Sequence, residues 1–162
     1  MDSAAGGLAS PILNGSLVPL PIPVSGASQI TYGDLVARGV LLGKVVEDLT
    51  DGRLRRDQQV HFDPDLRRST YPRKPGWRPI FGQGQPGAQG HLQKCGVTVG
   101  DLFLFFGRFC EAELRDGSYR YKRGAPIVHV IYGWNQAVQW LGRHFPGSLA
   151  PPPDSASPQK PR

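Results

Sequence analysis

His61, Asp63 and Asp65 occupy alternate positions in the segment His61-Phe62-Asp63-Pro64-Asp65. Alternate residues of an extended chain share a face, so this pattern would point an imidazole and two carboxylates the same way. These are donor types that suit a divalent cation and groups that can take and return a proton. A structural reading stands beside the chemical one: Asp63 and Asp65 pair with Arg67 and Arg68, or cap the turn that Pro64 begins.

A second group follows in Gly76-Trp77-Arg78-Pro79-Ile80-Phe81-Gly82-Gln83, with Gln85, Gln89 and His91 beyond it. An indole, a guanidinium and several amides in one stretch can stack a base and read its edge. The alternative is a loop folded over the core, anchored by Trp77 and Phe81. The glycines at 82, 84, 87 and 90 do not make a dinucleotide fingerprint, and no phosphate loop ending in Gly-Lys-Ser/Thr occurs. Nucleophile-elbow, HExxH and cysteine-nucleophile signatures are missing too, which disfavours hydrolases of those types. His129, inside an apolar run, reads as a core histidine rather than a ligand.

The chain of 162 residues carries a net charge of +6, and the excess is concentrated. Between residues 53 and 78 eight basic side chains (Arg53, Arg55, Arg56, Arg67, Arg68, Arg73, Lys74, Arg78) face three acids. Such a field attracts phosphates, although a solvated basic loop without a partner has the same composition. No apolar run is long enough to span a bilayer, and no signal peptide is visible. The two cysteines, Cys95 and Cys110, are isolated from one another. They point to buried or incidental thiols and a cytoplasmic protein, without a metal site. The composition specifies no cofactor.

Glycine and proline number 21 and 16, which calls for short elements and many turns. The spacing predicts one domain over residues 1–145 and a disordered proline-rich tail over 146–162. Thr31 and Asp34 have capping-box spacing ahead of an apolar helical face at Leu35, Val36, Val40 and Leu41. Val45, Val46 and Leu49 add a further short helical turn, and residues 88–95 a third helical piece stopped by Gly96. Residues 17–23 read as an edge strand, 60–62 as a short strand, 101–107 as a central strand, Asp116-Gly117 as a hairpin turn, and 127–131 as a buried strand. The expected fold is α+β: a small mixed or antiparallel sheet with short flanking helices and long irregular loops.

The residues also resemble, in order, the third family of nucleotide modification associated domains. The match runs through Asp2-Ser3, Gly6-Gly7, Ser10-Pro11-Ile12, Leu20-Pro21-Ile22-Pro23, the segment 61–66, Gly76-Trp77-Arg78, Phe81-Gly82-Gln83 and Gln89-Gly90-His91-Leu92. It continues through Gly96-Val97, the run 100–107 and His129-Val130-Ile131-Tyr132-Gly133, and covers roughly residues 2–136. The resemblance implies a protein that modifies DNA or other nucleotides, or assists in it, with no defined reaction. It implies a polar set at Asp2, Ser3, His61, Asp63, Asp65, Gln83, His91 and Asp101. The expected assignment is therefore His61, Asp63, Asp65 and Asp101 for catalysis. Asp2, Ser3, Trp77, Arg78, Phe81, Gln83, Gln89 and His91 would hold a nucleotide or nucleic acid. By analogy the Gly100-Asp101 turn, the hairpin and the His129 strand also look like a PUA-type barrel. Members usually have a strand before the match to Asp2-Ser3 and a longer C-terminal portion, so the chain is expected to be truncated at both ends. A module that only recognises modified nucleic acid, and a degenerate inactive fragment, are the competing expectations.

Overall fold

The computed structural model describes residues 8–26, 28–82, 91–92 and 94–137. Its organising element is β7 (Leu102–Arg115), a strand that begins in the apolar run and continues through a more charged segment well past the expected stop at Gly107. Strand β1 (Ser10–Leu13) runs parallel to it, Ser10 opposite Phe109 and Leu13 opposite Ala112. On the other edge β8 (Ser118–Tyr121) and β9 (Val128–Gln136) follow one another antiparallel to β7. β2 (Ser16–Leu17) extends the sheet beyond β1. The β7–β8 turn is Asp116-Gly117, both residues left-handed at φ 51° and 78°, as a tight hairpin requires. Asn14-Gly15, at 49° and 72°, closes β1–β2 in the same way.

Smaller pieces surround this sheet. β3 (Ile22–Pro23) pairs with β6 (Val60–His61), and β4 (Val36–Ala37) with β5 (Val40–Leu41). Single 3-10 turns lie at Tyr32–Asp34 and Arg68–Thr70. The helix α1 (Leu42–Leu49) buries Leu42, Val45, Val46 and Leu49, the i, i+3, i+4, i+7 stripe of an amphipathic helix. The architecture is thus α+β with a mixed sheet, and no barrel closes among the described residues.

Three expectations change here. The edge strand expected over 17–23 is two short strands in different sheets, β2 beside β1 and β3 beside β6. The capping interaction at Thr31 is real, its N–H bonding Asp34 Oδ2 at 2.8 Å. The helix beyond it is not: Arg38 and Gly39 both adopt positive φ, 54° and 78°, which turns 36–41 into a hairpin. Helix formation starts instead at Leu42. The 127–131 strand also differs, being longer and far from buried. Ile131 and Trp134 are 60% and 65% exposed, and His129 is exposed rather than a core histidine.

The reason is a change of buried face along β7. From Leu102 to Phe109 the odd-numbered face is covered, with Phe81 packing on Phe103 and Phe105 at 4.9 and 5.0 Å and Tyr132 on Phe109. At Cys110 and Ala112 the even face is covered instead, Ala112 joining Leu13, Val45 and Val46 in the main core, before Leu114 emerges again. The even face of the first half, Leu102, Leu104 and Phe106, stays exposed with its cross-strand neighbours Ile131 and Trp134. Of the thiols, Cys110 is buried and Cys95 exposed, and neither forms a disulfide. No helix among the described residues is long and apolar enough to cross a membrane.

α1 is fastened to its surroundings by two acids. Asp48 accepts from Lys44 and from the Tyr119 N–H of β8 at 2.9 and 2.8 Å. Glu47 receives the Arg56 N–H and guanidinium, which hold its carboxyl down to about 2. Gly43 lets this region close: a Cβ there would lie 2.8 Å from Arg56 Cβ and 3.2 Å from Gly33 Cα. Gly43→Ala is therefore expected to lower stability by about 1–2 kcal/mol in urea unfolding, overpacking outweighing the gain in helix propensity. A stabilised variant would show that the contact relaxes freely.

Candidate functional site

The segment 60–66 does not stay extended. β6 ends at His61, because Pro64 has no N–H with which to continue a ladder; the Asp63–Pro64 peptide is cis. With the strand ending at His61, Asp63 and Asp65 do not line up with that residue on one strand face. His61 is exposed opposite Ile22 in β3. Asp63 turns inward, where both carboxylate oxygens accept the Gly82 N–H at 3.1 and 3.2 Å. Asp65 is 7% exposed and forms an isolated bridge with Ile80, each residue's N–H bonding the other's carbonyl at 2.9 Å.

The environment of Asp65 is structural. Arg73 Nη2 donates to its Oδ1 at 2.5 Å and Trp77 Nε1 to its Oδ2 at 3.3 Å. The Arg73 guanidinium lies over the rings of Trp77, Phe62 and Tyr71 at 4.6, 5.5 and 5.5 Å. Trp77 is therefore committed to Asp65 and Arg73. Phe81 is committed to β7. Together the bridge and these contacts bring 61–65 and 77–82 against the first half of β7, close to its Asp101 end. Arg78 is exposed. Asp101 caps the Thr98 N–H at 2.7 Å. His91 Nε2 lies 3.5 Å from the exposed Cys95 Sγ, one helical turn on, and Gly96 beyond them is left-handed at φ 70°. Asp2, Ser3, Gln83 and Gln89 lie outside the described residues.

Asp63 faces a cleft. A cleft of about 70 Å³ is lined by Leu17, Pro19, Leu20, Phe62, Pro64, Leu66 and Tyr132, with Asp63, Arg38, Arg67 and Thr70 as its polar groups. Burial raises the Asp63 pKa from 3.8 to about 6; the Gly82 hydrogen bond and His61 oppose that rise, and Asp65 adds to it. Tyr132 is raised as well, first by burial and then by Asp63. A carboxyl poised near neutrality in an apolar cleft is the arrangement that serves proton transfer. Close backbone packing holds the wall in place: a Cβ at Gly133 would fall 2.5 Å from Leu66 Cδ1.

The sequence alone does not single out Arg38 and Tyr132 as cleft residues, and it places Arg67 with the two acids and in the basic stretch that attracts phosphates. Gly39 after Arg38 was the available signal for a turn there; Tyr132 had only its place in the match over 129–133. The dense basic stretch is largely dispersed by folding. Arg73 is buried with Asp65, Arg56 pairs with Glu47, and Arg53 Nε bonds the Thr50 carbonyl. A broader depression of about 670 Å³ between α1 and β8 is lined by Glu47, Asp48, Arg55, Arg56 and Arg120 among others. Its two helix acids are already bonded to Arg56, Lys44 and Tyr119. Among the described residues no group of three His, Cys, Asp or Glu side chains is placed to hold a metal ion.

Comparison with known proteins gives one match. A family model described as nucleotide modification associated domain 3 fits residues 1–142. No curated protein and no solved structure matches the chain.

Proposed function

From the premise that the chain belongs to the nucleotide modification associated domain 3 family, we propose that the Asp63 cleft is where it acts on a nucleotide. Asp63 exchanges a proton with the substrate, and Phe62, Leu20 and Tyr132 provide the surface for an apolar ring face. The observation that carries this reading is a carboxyl with a pKa lifted to about 6, lining a cleft, with its hydrogen bonds among the described residues coming from a single backbone N–H. Asp65 and Asp101 are otherwise engaged: Asp65 holds Arg73 and Trp77, and Asp101 caps a turn. The cleft is smaller than a whole nucleotide requires, so part of the ligand rests on its rim. The chain passes directly from Gly82, bonded to Asp63, into residues 83–90, which include the glutamines proposed to read a base.

The test is to incubate the protein with DNA, RNA and free nucleotides, hydrolyse to nucleosides and search by mass spectrometry for a new mass. Wild type is expected to yield one and Asp63→Asn to abolish it, a loss of at least about 100-fold for removal of a general acid–base group. A modified nucleoside formed equally by Asp63→Asn would remove Asp63 from the chemistry. A second reading, recognition of modified nucleic acid without turnover, is favoured by the engagement of Asp65, which leaves one proton-exchanging acid rather than a pair. Binding with no new nucleoside would select it.

A further inference from the structure

Arg38 and Arg67 reach the same cleft from different elements, Arg38 from the β4–β5 turn and Arg67 from the residue ahead of the Arg68–Thr70 turn. We propose that these two guanidiniums form the seat for the substrate's phosphate, so that the protein takes a nucleotide or a polynucleotide strand and not a free base or nucleoside. This assignment rests on the nucleotide reading of the Asp63 cleft and names the class of substrate.

Like charges gathered together are unfavourable unless something compensates them, and water screens the repulsion where they are exposed. Arg38 and Arg67 are both exposed, and burial first, then the charge of Arg38, lowers the affinity of Arg67 for its proton. Among the described residues the ion pairs engage Lys44, Arg55, Arg56, Arg73, Arg115 and Lys122, and neither cleft arginine. The one carboxyl in the cleft, Asp63, is bonded to the Gly82 N–H. An incoming dianion or phosphodiester would relieve the repulsion. Its oxygens match the planar fork of a guanidinium.

The backbone at Arg38 supports the assignment. A φ of 54° suits glycine, asparagine or aspartate, and a long basic side chain contributes nothing to the turn itself. At about 70 Å³ the cleft encloses no whole nucleotide, so the phosphate lies at its rim, beside the two exposed arginines.

The experiment measures equilibrium binding of three probes: deoxynucleosides, deoxynucleoside 5′-monophosphates, and a single-stranded oligonucleotide without terminal phosphate. They are titrated into wild type, Arg38→Asn, Arg67→Gln and the double variant, with urea unfolding of each. Arg38→Asn should fold at least as well as wild type, since asparagine tolerates the left-handed turn better. The expected result is tighter binding of a phosphorylated probe than of nucleosides, and a loss of about 10- to 100-fold for that probe in the double variant. Loss confined to the monophosphate identifies a phosphomonoester as the ligand; loss with the oligonucleotide identifies the backbone phosphodiester. Phosphorylated probes that bind the double variant as tightly as wild type overturn the seat and leave the cleft reading intact. An equal loss for nucleosides also overturns it, because it gives the arginines a role in cleft shape alone. If no probe binds wild type at all, the seat and the nucleotide reading fall together.

Discussion

Replacing Arg73 with methionine is expected to cost about 3–5 kcal/mol of unfolding free energy at pH 7.5. Methionine keeps much of the volume between Phe62, Tyr71 and Trp77, so lost packing contributes little. The loss arises from Asp65, which is 7% exposed and would be left as a buried carboxylate with only the Trp77 N–H beside it. That residue is pinned by its backbone bridge to Ile80 and cannot turn outward to water without breaking two hydrogen bonds. The double variant Asp65→Asn/Arg73→Met should recover most of the loss, to within about 1–2 kcal/mol of wild type, because neither charge is then buried alone. The single variant's defect should shrink toward pH 5, as the orphaned carboxyl takes up a proton. An Arg73→Met protein within about 1 kcal/mol of wild type at pH 7.5 would mean that water reaches Asp65. The Arg73 Nε, buried without a hydrogen-bond partner among the described residues, further indicates that this pair fixes the arrangement of the 62–82 segment more than it adds stability.

Asp63→Asn is expected to act in the opposite direction on stability while removing function. The folded pKa of Asp63, about 6, lies above its ordinary 3.8, so the folded chain holds this proton more tightly than the unfolded chain does. Below 3.8 both states are protonated and the aspartate imposes no ionisation cost. As pH rises toward 6 that advantage is progressively lost, and above 6 the ionised carboxylate sits in the cleft at full cost. The shift corresponds to at most about 3 kcal/mol, and the carboxyl's partial contact with water reduces it to about 1–2. Asparagine can still accept the Gly82 N–H without a charge. Urea unfolding at pH 8 should therefore show the variant more stable by about that amount, with the two proteins converging near pH 4. A variant less stable than wild type at pH 8 would mean that Asp63 is there to hold Gly82, not to exchange protons. Increased stability together with lost function is the expected behaviour of a residue kept in an unfavourable setting for its chemistry.

The two carboxylates show how far the amino-acid sequence could be read. Asp63 and Asp65 are two residues apart and chemically identical, and spacing treats them alike. Folding separates them: Asp65 meets Arg73 and Trp77, while Asp63 meets a backbone N–H and a cleft. The partners that decide this are eight to nineteen residues away, and the Asp65–Ile80 bridge and the packing of Phe81 on β7 bring them in.

What the sequence determined by itself is local. The apolar run of β7, the α1 stripe at 42, 45, 46 and 49, the Asp116-Gly117 turn and the halt before Pro64 follow from side-chain periodicity and from which residues tolerate positive φ or lack an N–H. Those preferences act within a few residues, so the α+β class and several elements were legible, whereas β1 and the β4–β5 hairpin were not. The Arg38-Gly39 turn was legible in principle, but the helical spacing around it gave the stronger signal. The tertiary structure alone decided which face of β7 is covered, that His129 and Trp134 stand in the open, and that Arg38, Arg67 and Tyr132 share a cleft with Asp63. Burial, like-charge proximity and the resulting pKa shifts are sums over distant neighbours. No window along the chain contains them.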